Sequence, residues 1–286
     1  MLENLPANAR AVRRIAVGLA ILPLFLTAAA VQGFLVGPLT GNYKTIPNMM
    51  YNTVRKILGF KVEFNAASAP VVKDKPAWYV ANHLAGADFL VLGSALNGTF
   101  VGKDDITDRP FVAKLARAFK FIGVRRKKEF NPQSRGKIIS NFNSGFNTIM
   151  FPEGTANDGK KLSLFHAGLL TLLYGEKGVD KKGRQVALGK DVVVQPVALR
   201  VKSVSGEDAA GRDDLRACYS MWDNTRPLSR IWARLKIRNI TLELTAFPPL
   251  EPAKFSDAKE LINDAALKIA SVTNPGQTTF EKVVLR

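Results

Sequence analysis

The sequence predicts an α/β fold in which helices flank a central, mostly parallel or mixed sheet, with a membrane-embedded helical element at the N-terminus. From Lys44 onward, short apolar segments alternate with segments of helical spacing, which is typical of a sheet with helices on its faces. Before that point, no charged residue occurs between Ile15 and Tyr43. We therefore divide the 286 residues into a membrane anchor, residues 1–43, and one large globular domain, residues 44–286.

The N-terminal segment is open to three interpretations. A secretory signal peptide would combine the basic start, Arg10–Arg14, with an apolar stretch and small residues at Ala28–Ala30 that suit cleavage. A single transmembrane helix needs about 20 apolar residues, and the third interpretation is an element that enters one leaflet and returns. Pro23 and the positions Gly33 and Gly37-Pro38 interrupt a straight helix and favour that third interpretation. The positive-inside rule places Arg10–Arg14 in the cytoplasm, so a single span would put the rest of the chain outside.

Five strands are predicted from apolar and β-branched runs. Ala77–Ala81 and Thr99–Gly102 are short apolar runs that end at polar residues, and Asn147–Pro152 is a buried strand that ends in a carboxylate. Val192–Val201 is apolar and β-branched enough for a central strand, whereas Ile240–Phe247 alternates like a half-buried one.

Four helices are predicted between and after these strands. Pro110–Lys120 begins with a proline suited to a first turn and carries basic residues on its outer face. Gln133–Phe146 and the apolar Leu162–Tyr174 have helical length, and Ser256–Val272 is amphipathic with an N-cap at Ser256-Asp257. The polar segments 176–190 and 202–216 are interpreted as surface loops.

The net charge of the chain limits the classes of molecule that we expect it to bind. Lys and Arg total 41 against 24 Asp and Glu, a formal net charge of +17, which favours contact with nucleic acid or an anionic membrane surface. No nucleic-acid motif, GxGxxG fingerprint or Walker loop occurs, and the apolar N-terminus favours the membrane. A single cysteine, Cys218, excludes an intramolecular disulfide, and two histidines leave little material for a metal site.

His83 and Asp88, which follow the first predicted strand, suit acid–base chemistry. On a straight helix their spacing would set the side chains roughly 140° apart, so they would not meet. A turn at Gly86 between strand and helix would let the carboxylate fold back onto the imidazole. The carboxylate then holds one ring nitrogen and leaves the other as a base. The alternative interpretation is a capped strand end with a hydrogen-bonded histidine.

Four segments follow one another along the chain: NHLAGAD at Asn82–Asp88, a basic block from Lys103 to Arg125-Arg126, FPEGT at Phe151–Thr155 and VVVQPVALR at 192–200. Their order resembles the glycerolipid acyltransferases of the lysophosphatidate acyltransferase type. In that family an H-x4-D box, a basic block ending in Arg, an EGT box and a strand containing Pro occur in this sequence. The resemblance runs from about Ala77 to Leu199.

The resemblance implies a role for each matching residue. His83 would be the general base that takes a proton from the acceptor hydroxyl, and Asp88 would orient it. The acceptor site would be formed by Lys103, Arg125, Arg126, Glu153, Gly154, Thr155 and Pro196. Backbone N–H groups around Gly154 and Thr155 are candidates for holding the tetrahedral oxyanion. For Pro196, a shaped strand end beside the site is an equally good interpretation.

The sequence also departs from the family pattern. The EGT box usually continues with Arg, but Ala156 stands there, followed by Asn157-Asp158-Gly159, as in a subset similar to lyso-ornithine lipid acyltransferases. The second block has Gly123 followed almost at once by Arg125 and Arg126, so which arginine matches is open. Either a basic residue of that block grips an acceptor phosphate, or the head group is not a phosphate monoester.

We therefore expect an O-acyltransferase whose domain at 44–286 faces the cytoplasm and acts on membrane lipids. The donor would be an acyl thioester carried by acyl carrier protein or CoA, with no metal or other cofactor and no nucleic-acid partner. The first acceptor expected is 1-acyl-sn-glycerol-3-phosphate, which would give phosphatidic acid, and the alternative is lyso-ornithine lipid or another lysolipid. A hydrolase or remodelling enzyme and an inactive membrane adaptor with the same fold are the competing interpretations.

Overall fold

The computed structural model describes residues 5–103, 119–124, 132–180, 182–189, 191–220 and 227–281. Its helices are α1 (Ala7–Val31), α2 (Gly37–Thr40), α3 (Thr45–Leu58), α4 (Asp88–Ala95), α5 (Pro132–Asn143), α6 (Asp213–Ala217), α7 (Pro227–Lys236) and α8 (Ala258–Thr273). Its strands are β1 (Phe60–Phe64), β2 (Ala77–Ala81), β3 (Gly98–Lys103), β4 (Ile122–Val124), β5 (Asn147–Met150), β6 (Gly178–Val179), β7 (Gln185–Val186), β8 (Val193–Val204), β9 (Glu207–Asp208) and β10 (Ile240–Ala246).

The main sheet has the strand order β1-β10-β8-β2-β5-β3-β4, and β9 pairs with β8. Neighbouring strands run parallel except at the β10–β8 and β8–β9 pairs. The predicted α/β class with a mostly parallel, mixed sheet is therefore confirmed. The centre of the sheet is β2, which lies between β8 and β5 and carries the first predicted strand.

The two faces of the sheet hold separate apolar clusters. On one face, Ile138 and Phe142 of α5 and Leu261 and Ile269 of α8 pack against the strands. On the other face, the cluster includes Val91 and Leu92 of α4, and α3 packs behind α4. The sheet therefore lies between two helix layers in a three-layer arrangement.

The predicted helix at Leu162–Tyr174 is wrong. Only its last part, Leu170–Tyr174, is helical, and it is a 3₁₀ turn. The N–H groups upstream are taken by distant acceptors: Ser163 donates to the carboxylate of Glu153, and His166 donates to the carbonyl of Pro152. These tertiary bonds replace the i→i−4 bonds of a helix. The predicted helix at Pro110–Lys120 lies almost wholly outside the described residues.

The strand at Ile240–Phe247 is present as β10, but it is not half-buried. All its residues are buried, including Thr241, Glu243 and Thr245. Its polar face is covered because Glu243 pairs with Arg200 and accepts a bond from Asn65. The two segments interpreted as loops also contain structure: 176–190 holds the β6–β7 hairpin, and 202–216 holds the end of β8, β9 and most of α6.

The apolar N-terminus forms one continuous helical stretch over Ala7–Thr40. It contains an 18-residue window of mean hydropathy 2.1, and by length and composition it could cross a membrane. Pro23 lies inside α1 without ending it, contrary to the expectation of an interruption there. The irregularity lies at the other predicted position: Gln32–Val36, which contains Gly33, is a π-helical turn directly before Gly37-Pro38. A wider turn accommodates the proline ring, which would otherwise clash with the preceding turn.

The basic end of this helix is fastened to the globular part of the chain. Arg14 is buried, and its guanidinium donates to the carbonyl oxygens of Leu235, Ile237 and Arg238 at 2.7–2.9 Å. These carbonyls belong to the end of α7 and the residues after it, where helix carbonyls lack partners and the dipole favours a cation. The base of the apolar helix therefore lies beside α7.

Candidate active site

The polar residues of the first and third motifs meet because β2 and β5 are parallel neighbours. Val80 of β2 is level with Met150 of β5. His83 and Glu153 each follow three residues later, so both emerge at the same edge of the sheet. Parallel sheets commonly place their sites at this carboxyl edge.

Asn82 controls how the chain leaves β2. Its side-chain amide donates to the carbonyl of Leu199 at 2.9 Å and accepts the N–H of the same residue at 2.8 Å. The side-chain amide of Asn82 thus makes the two hydrogen bonds to β8 that a further backbone residue of β2 would make, while the main chain after β2 turns away from the sheet. This side chain determines where His83 emerges.

His83 and Asp88 form a close pair. Nδ1 of His83 lies 2.8 Å from Oδ2 of Asp88, and the same oxygen accepts the N–H groups of Leu84 and Ala85 at 2.7 and 3.0 Å. Asp88 is fully buried at the start of α4, where the helix dipole favours a carboxylate. Gly86 lies in the turn, but its φ is not positive and a Cβ there would meet nothing within 4 Å. The turn therefore does not depend on glycine.

Tyr219 completes the surroundings of Asp88 and was missed by the sequence analysis. Its hydroxyl donates to Oδ1 of Asp88 at 2.6 Å, and the whole residue is buried. Burial and the neighbouring carboxylate raise the pKa of Tyr219 well above its usual value, so the phenol keeps its proton. Arg234 of α7 covers the ring, with its guanidinium 5.2 Å from the ring centroid.

Glu153 is buried, and its carboxylate bonds to two loops, the one that carries His83 and the one that carries Ser163. Its Oε1 accepts the backbone N–H of His83 at 2.7 Å, and its Oε2 accepts the N–H of Ser163 at 2.9 Å and the side-chain amide of Asn157. Burial raises the pKa of Glu153 to about 7, although its hydrogen bonds act in the opposite direction. The backbone N–H of Asn157 in turn donates to the carbonyl of His83 at 3.0 Å. His83 is therefore held on both sides of its backbone.

Aromatic rings surround the imidazole. The ring of His83 stacks on Phe151 at 4.1 Å between centroids, and Phe89 meets it edge-on at 6.2 Å. Phe100 continues this aromatic wall, with its ring 4.7 Å from Phe89. The imidazole keeps 14% exposure, whereas the Asp88 side chain has none. Within the described part of the chain nothing bonds to Nε2, so that nitrogen is available to a substrate.

The other residues predicted for the site are spread around this centre. Gly154 has φ +68°, and its N–H donates to the carbonyl of Phe151 at 3.0 Å, which leaves Thr155 as the remaining oxyanion donor named from the sequence. Pro196 is buried within β8, level with Val80, rather than at a strand end. Arg125 and Arg126 lie outside the described residues, as does the side chain of Lys103.

Residues that ligate metals do not gather in the described part of the chain: no group of three or more His, Cys, Asp or Glu there could hold a metal ion. His166, the second histidine, is exposed and away from Asp88. The arrangement offers one oriented imidazole beside an apolar wall, which suits removal of a proton from a hydroxyl group.

The site region matches a known protein family. A sequence model described as Acyltransferase matches residues 61–200. The chain is similar to a "Lyso-ornithine lipid O-acyltransferase" of Rhodobacter capsulatus, with 28% identity over 69% of this chain and 65% of the relative. Proteins with the same name from Pseudomonas aeruginosa and Brucella abortus are 29% and 25% identical, over 49% and 65% of this chain and 51% and 67% of theirs. The match thus spans about half to two thirds of the length of these relatives.

The fold is also similar to a solved structure. The crystal structure of a 1-acyl-sn-glycerophosphate (LPA) acyltransferase, PlsC, from Thermotoga maritima superposes with a TM-score of 0.55 and 18% identity. The similarity covers 94% of this chain and 100% of that one. At this identity the likeness concerns the fold alone.

Proposed function

We infer that the chain belongs to the glycerolipid and lysophospholipid acyltransferase family, and from this premise we propose that it transfers a fatty acyl group from a thioester to the free hydroxyl of a lysolipid. The observation that carries the proposal is the His83–Asp88 pair at 2.8 Å, at the carboxyl edge of the parallel strands. Because the acceptor supplies the hydroxyl, the chain needs no nucleophile of its own.

The proposed mechanism begins at Nε2 of His83, which takes the proton of the acceptor hydroxyl as its oxygen attacks the thioester carbonyl. Asp88 holds Nδ1, which orients the ring and stabilises the imidazolium. The tetrahedral oxyanion is held by backbone donors, for which the N–H of Thr155 is our candidate. When the intermediate collapses, the C–S bond breaks and the imidazolium returns its proton to the leaving thiolate.

Three further residues act through this pair rather than on substrate. Tyr219 fixes the second oxygen of Asp88, so the carboxylate cannot rotate away from the imidazole. Glu153 and Asn157 hold the backbone N–H and carbonyl of His83. We assign all three as positioning residues. For Glu153 this differs from the acceptor-binding role implied by the family resemblance.

The donor side is apolar. We assign the wall of Phe89, Phe100 and Phe151 to the acyl chain or the reacting end of the donor, because these rings border the imidazole. Acyl carrier protein or CoA would deliver the thioester, and the proposed steps require no other cofactor.

Lyso-ornithine lipid is our first acceptor. The relatives named above carry it in their names, and Ala156 removes the guanidinium that would grip a phosphate. Lysophosphatidate is the second candidate, because Arg125 and Arg126 of the basic block match the part of the family pattern that carries a basic residue.

We also propose that the enzyme works at the cytoplasmic face of a membrane. Apolar side chains such as Leu24, Phe34 and Leu39 are 66%, 87% and 75% exposed on the N-terminal helix, which suits contact with lipid. Arg14 fastens the basic end of that helix to α7, and α3 returns the chain to β1. The start of the N-terminal helix and the end of α3 therefore both lie beside the sheet domain. The positive-inside rule places Arg14, and with it this domain, on the cytoplasmic side.

An acceptor panel tests the proposal. Membranes containing the protein are given a labelled acyl-carrier-protein or acyl-CoA thioester and lyso-ornithine lipid, lysophosphatidate or other lysolipids. We expect transfer to at least one lysolipid, its loss in His83→Gln, and normal transfer in the matched control His166→Gln, whose histidine is exposed. Equal turnover by His83→Gln and the unmodified protein would exclude the role of His83.

A further inference from the structure

A cavity of about 580 Å³ lies between residues 217–220, the segment that includes Tyr219, and α7. Its size falls in the range of small-molecule sites, about 300–1,000 Å³. Its wall carries charges of both signs: three carboxylates (Asp158, Asp213 and Asp214) and four cations, among them Arg230 and Arg234. The family motifs predict no role for this cavity.

One wall of the cavity is shared with the catalytic pair. Cys218 and Ser220 line it on either side of Tyr219, whose hydroxyl bonds to Asp88. Asp158 lines it directly after Asn157, whose N–H bonds to the carbonyl of His83. A ligand in the cavity would therefore be separated from the imidazole by Tyr219 and Asp88 on one side, and from the backbone of His83 by Asn157 on the other.

Most of the acidic charge in the cavity is already neutralised. Asp213 pairs with Lys160 at 3.0 Å and with Arg216, and Asp214 pairs with Arg212 at 2.7 Å. Asp158 differs: its carboxylate accepts the backbone N–H of Lys160 at 3.0 Å, and among the described residues no cation lies within ion-pair distance of it. Its charge is left for a ligand.

Arg234 presents the opposite case. It is partly buried, and its direct contacts are neutral groups: the carbonyl of Cys218, 3.4 Å from Nε, and the ring of Tyr219. The carboxylate of Asp88, which accepts the Tyr219 hydroxyl, acts on its charge from beyond ion-pair distance. Among the residues that the structure describes, no carboxylate forms an ion pair with it. A guanidinium in this setting favours a carboxylate ligand.

We propose that this cavity binds the acceptor's head group and that the head group is an amino-acid zwitterion, with its carboxylate at Arg234 and its ammonium at Asp158. The inference rests on the proposed function and specifies its acceptor class. A phosphate monoester would bring only negative charge toward Asp158, whereas an amino-acid head group satisfies both unpaired charges.

Direct binding tests the cavity without requiring turnover. The His83→Gln protein is titrated by calorimetry with a short-chain lyso-ornithine lipid, its carboxylate methyl ester and its N-acetyl derivative. Each blocked derivative loses one charge-assisted hydrogen bond, so we expect the Kd to rise about tenfold or more in both cases. Equal binding of either derivative and the parent lipid would overturn the inference.

The variant Asp158→Asn, in the same His83→Gln background, assigns the ammonium subsite. Asparagine keeps the oxygen that accepts the Lys160 N–H, so the loop is retained. We expect this variant to bind the parent and the N-acetyl derivative alike while still rejecting the methyl ester, and the exposed control Asp74→Asn to reject both. An unchanged penalty for the N-acetyl derivative in Asp158→Asn would refute the assignment of Asp158.

These results separate the two proposals. Transfer to lyso-ornithine lipid by the unmodified protein, combined with indifference to both blocked groups, would refute the cavity inference and leave the proposed function standing. Failure to acylate any lysolipid, combined with selective binding of the zwitterion, would refute the proposed function and support the cavity as a head-group site.

Discussion

Replacing Tyr219 by Phe tests whether the buried phenol positions the catalytic pair. The change removes one oxygen and little volume, so the packing of the ring under Arg234 is retained. What is lost is a 2.6 Å hydrogen bond to Asp88 between two residues that are both fully buried. The Asp88 carboxylate then keeps the three donors to Oδ2, which come from His83, Leu84 and Ala85, and loses the donor that Tyr219 supplies to Oδ1.

The expected size follows from the type of bond. A hydrogen bond to a charged, buried acceptor contributes about 1.5–3 kcal/mol. If about half of that stabilisation is expressed in the transition state, kcat falls roughly tenfold, since about 1.4 kcal/mol corresponds to one decade in rate. KM should change little, because Tyr219 lies behind Asp88 and does not reach the acceptor hydroxyl.

Tyr79→Phe is the matched control. Tyr79 is equally buried, and its hydroxyl donates to the carbonyl of Val72 at 2.6 Å and accepts the side-chain amide of Asn147 at 3.1 Å rather than bonding to the catalytic pair. Thermal unfolding should show a loss of stability in both variants, whereas acyl-transfer kinetics should show a lower kcat at an unchanged KM only in Tyr219→Phe. The same kcat in the two variants would refute the positioning role.

Three further changes test other parts of the structure. Burial raises the pKa of Glu153 from 4.5 to about 7, so the folded state should lose about 3 kcal/mol of stability as pH rises from about 4.5 through 7. In denaturant titrations, Glu153→Gln should remove this pH dependence of the free energy of unfolding. The same pH dependence in the variant would contradict the prediction. Arg14→Lys cannot reach all three carbonyls and should destabilise the chain by about 2 kcal/mol while exposing α7 to proteolysis, and native-like protection would argue against the contact. Gly136→Ala would set a Cβ 2.0 Å from the carbonyl oxygen of Val179 and should cost at least about 2 kcal/mol, whereas Gly18→Ala, with nothing within 4 Å, should be neutral; equal melting temperatures would refute the clash.

The sequence predicted much of the sheet because its strands are short apolar runs with polar ends. β2, β5 and β8 were placed to within a few residues, and the order of motifs along the chain indicated the family. The segment Leu162–Tyr174 was misread because its apolar residues do pack against the core, but its N–H groups bond to the Glu153 and Pro152 segment instead of forming a helix. An apolar pattern in the sequence indicates which residues are buried. It does not indicate which acceptors the backbone N–H groups bond to.

The sequence alone determined the chemistry available: one imidazole, a carboxylate five residues later, and a Glu-Gly-Thr after a buried strand. Only the tertiary structure decided how these groups are used. Parallel pairing of β2 with β5 aims the carboxylate of Glu153 at the backbone of His83, and a chain reversal more than a hundred residues downstream brings the Tyr219 hydroxyl to Asp88. Contacts of this kind join segments far apart in the chain, and no local pattern encodes them, because their geometry exists only once the sheet and α7 have packed together.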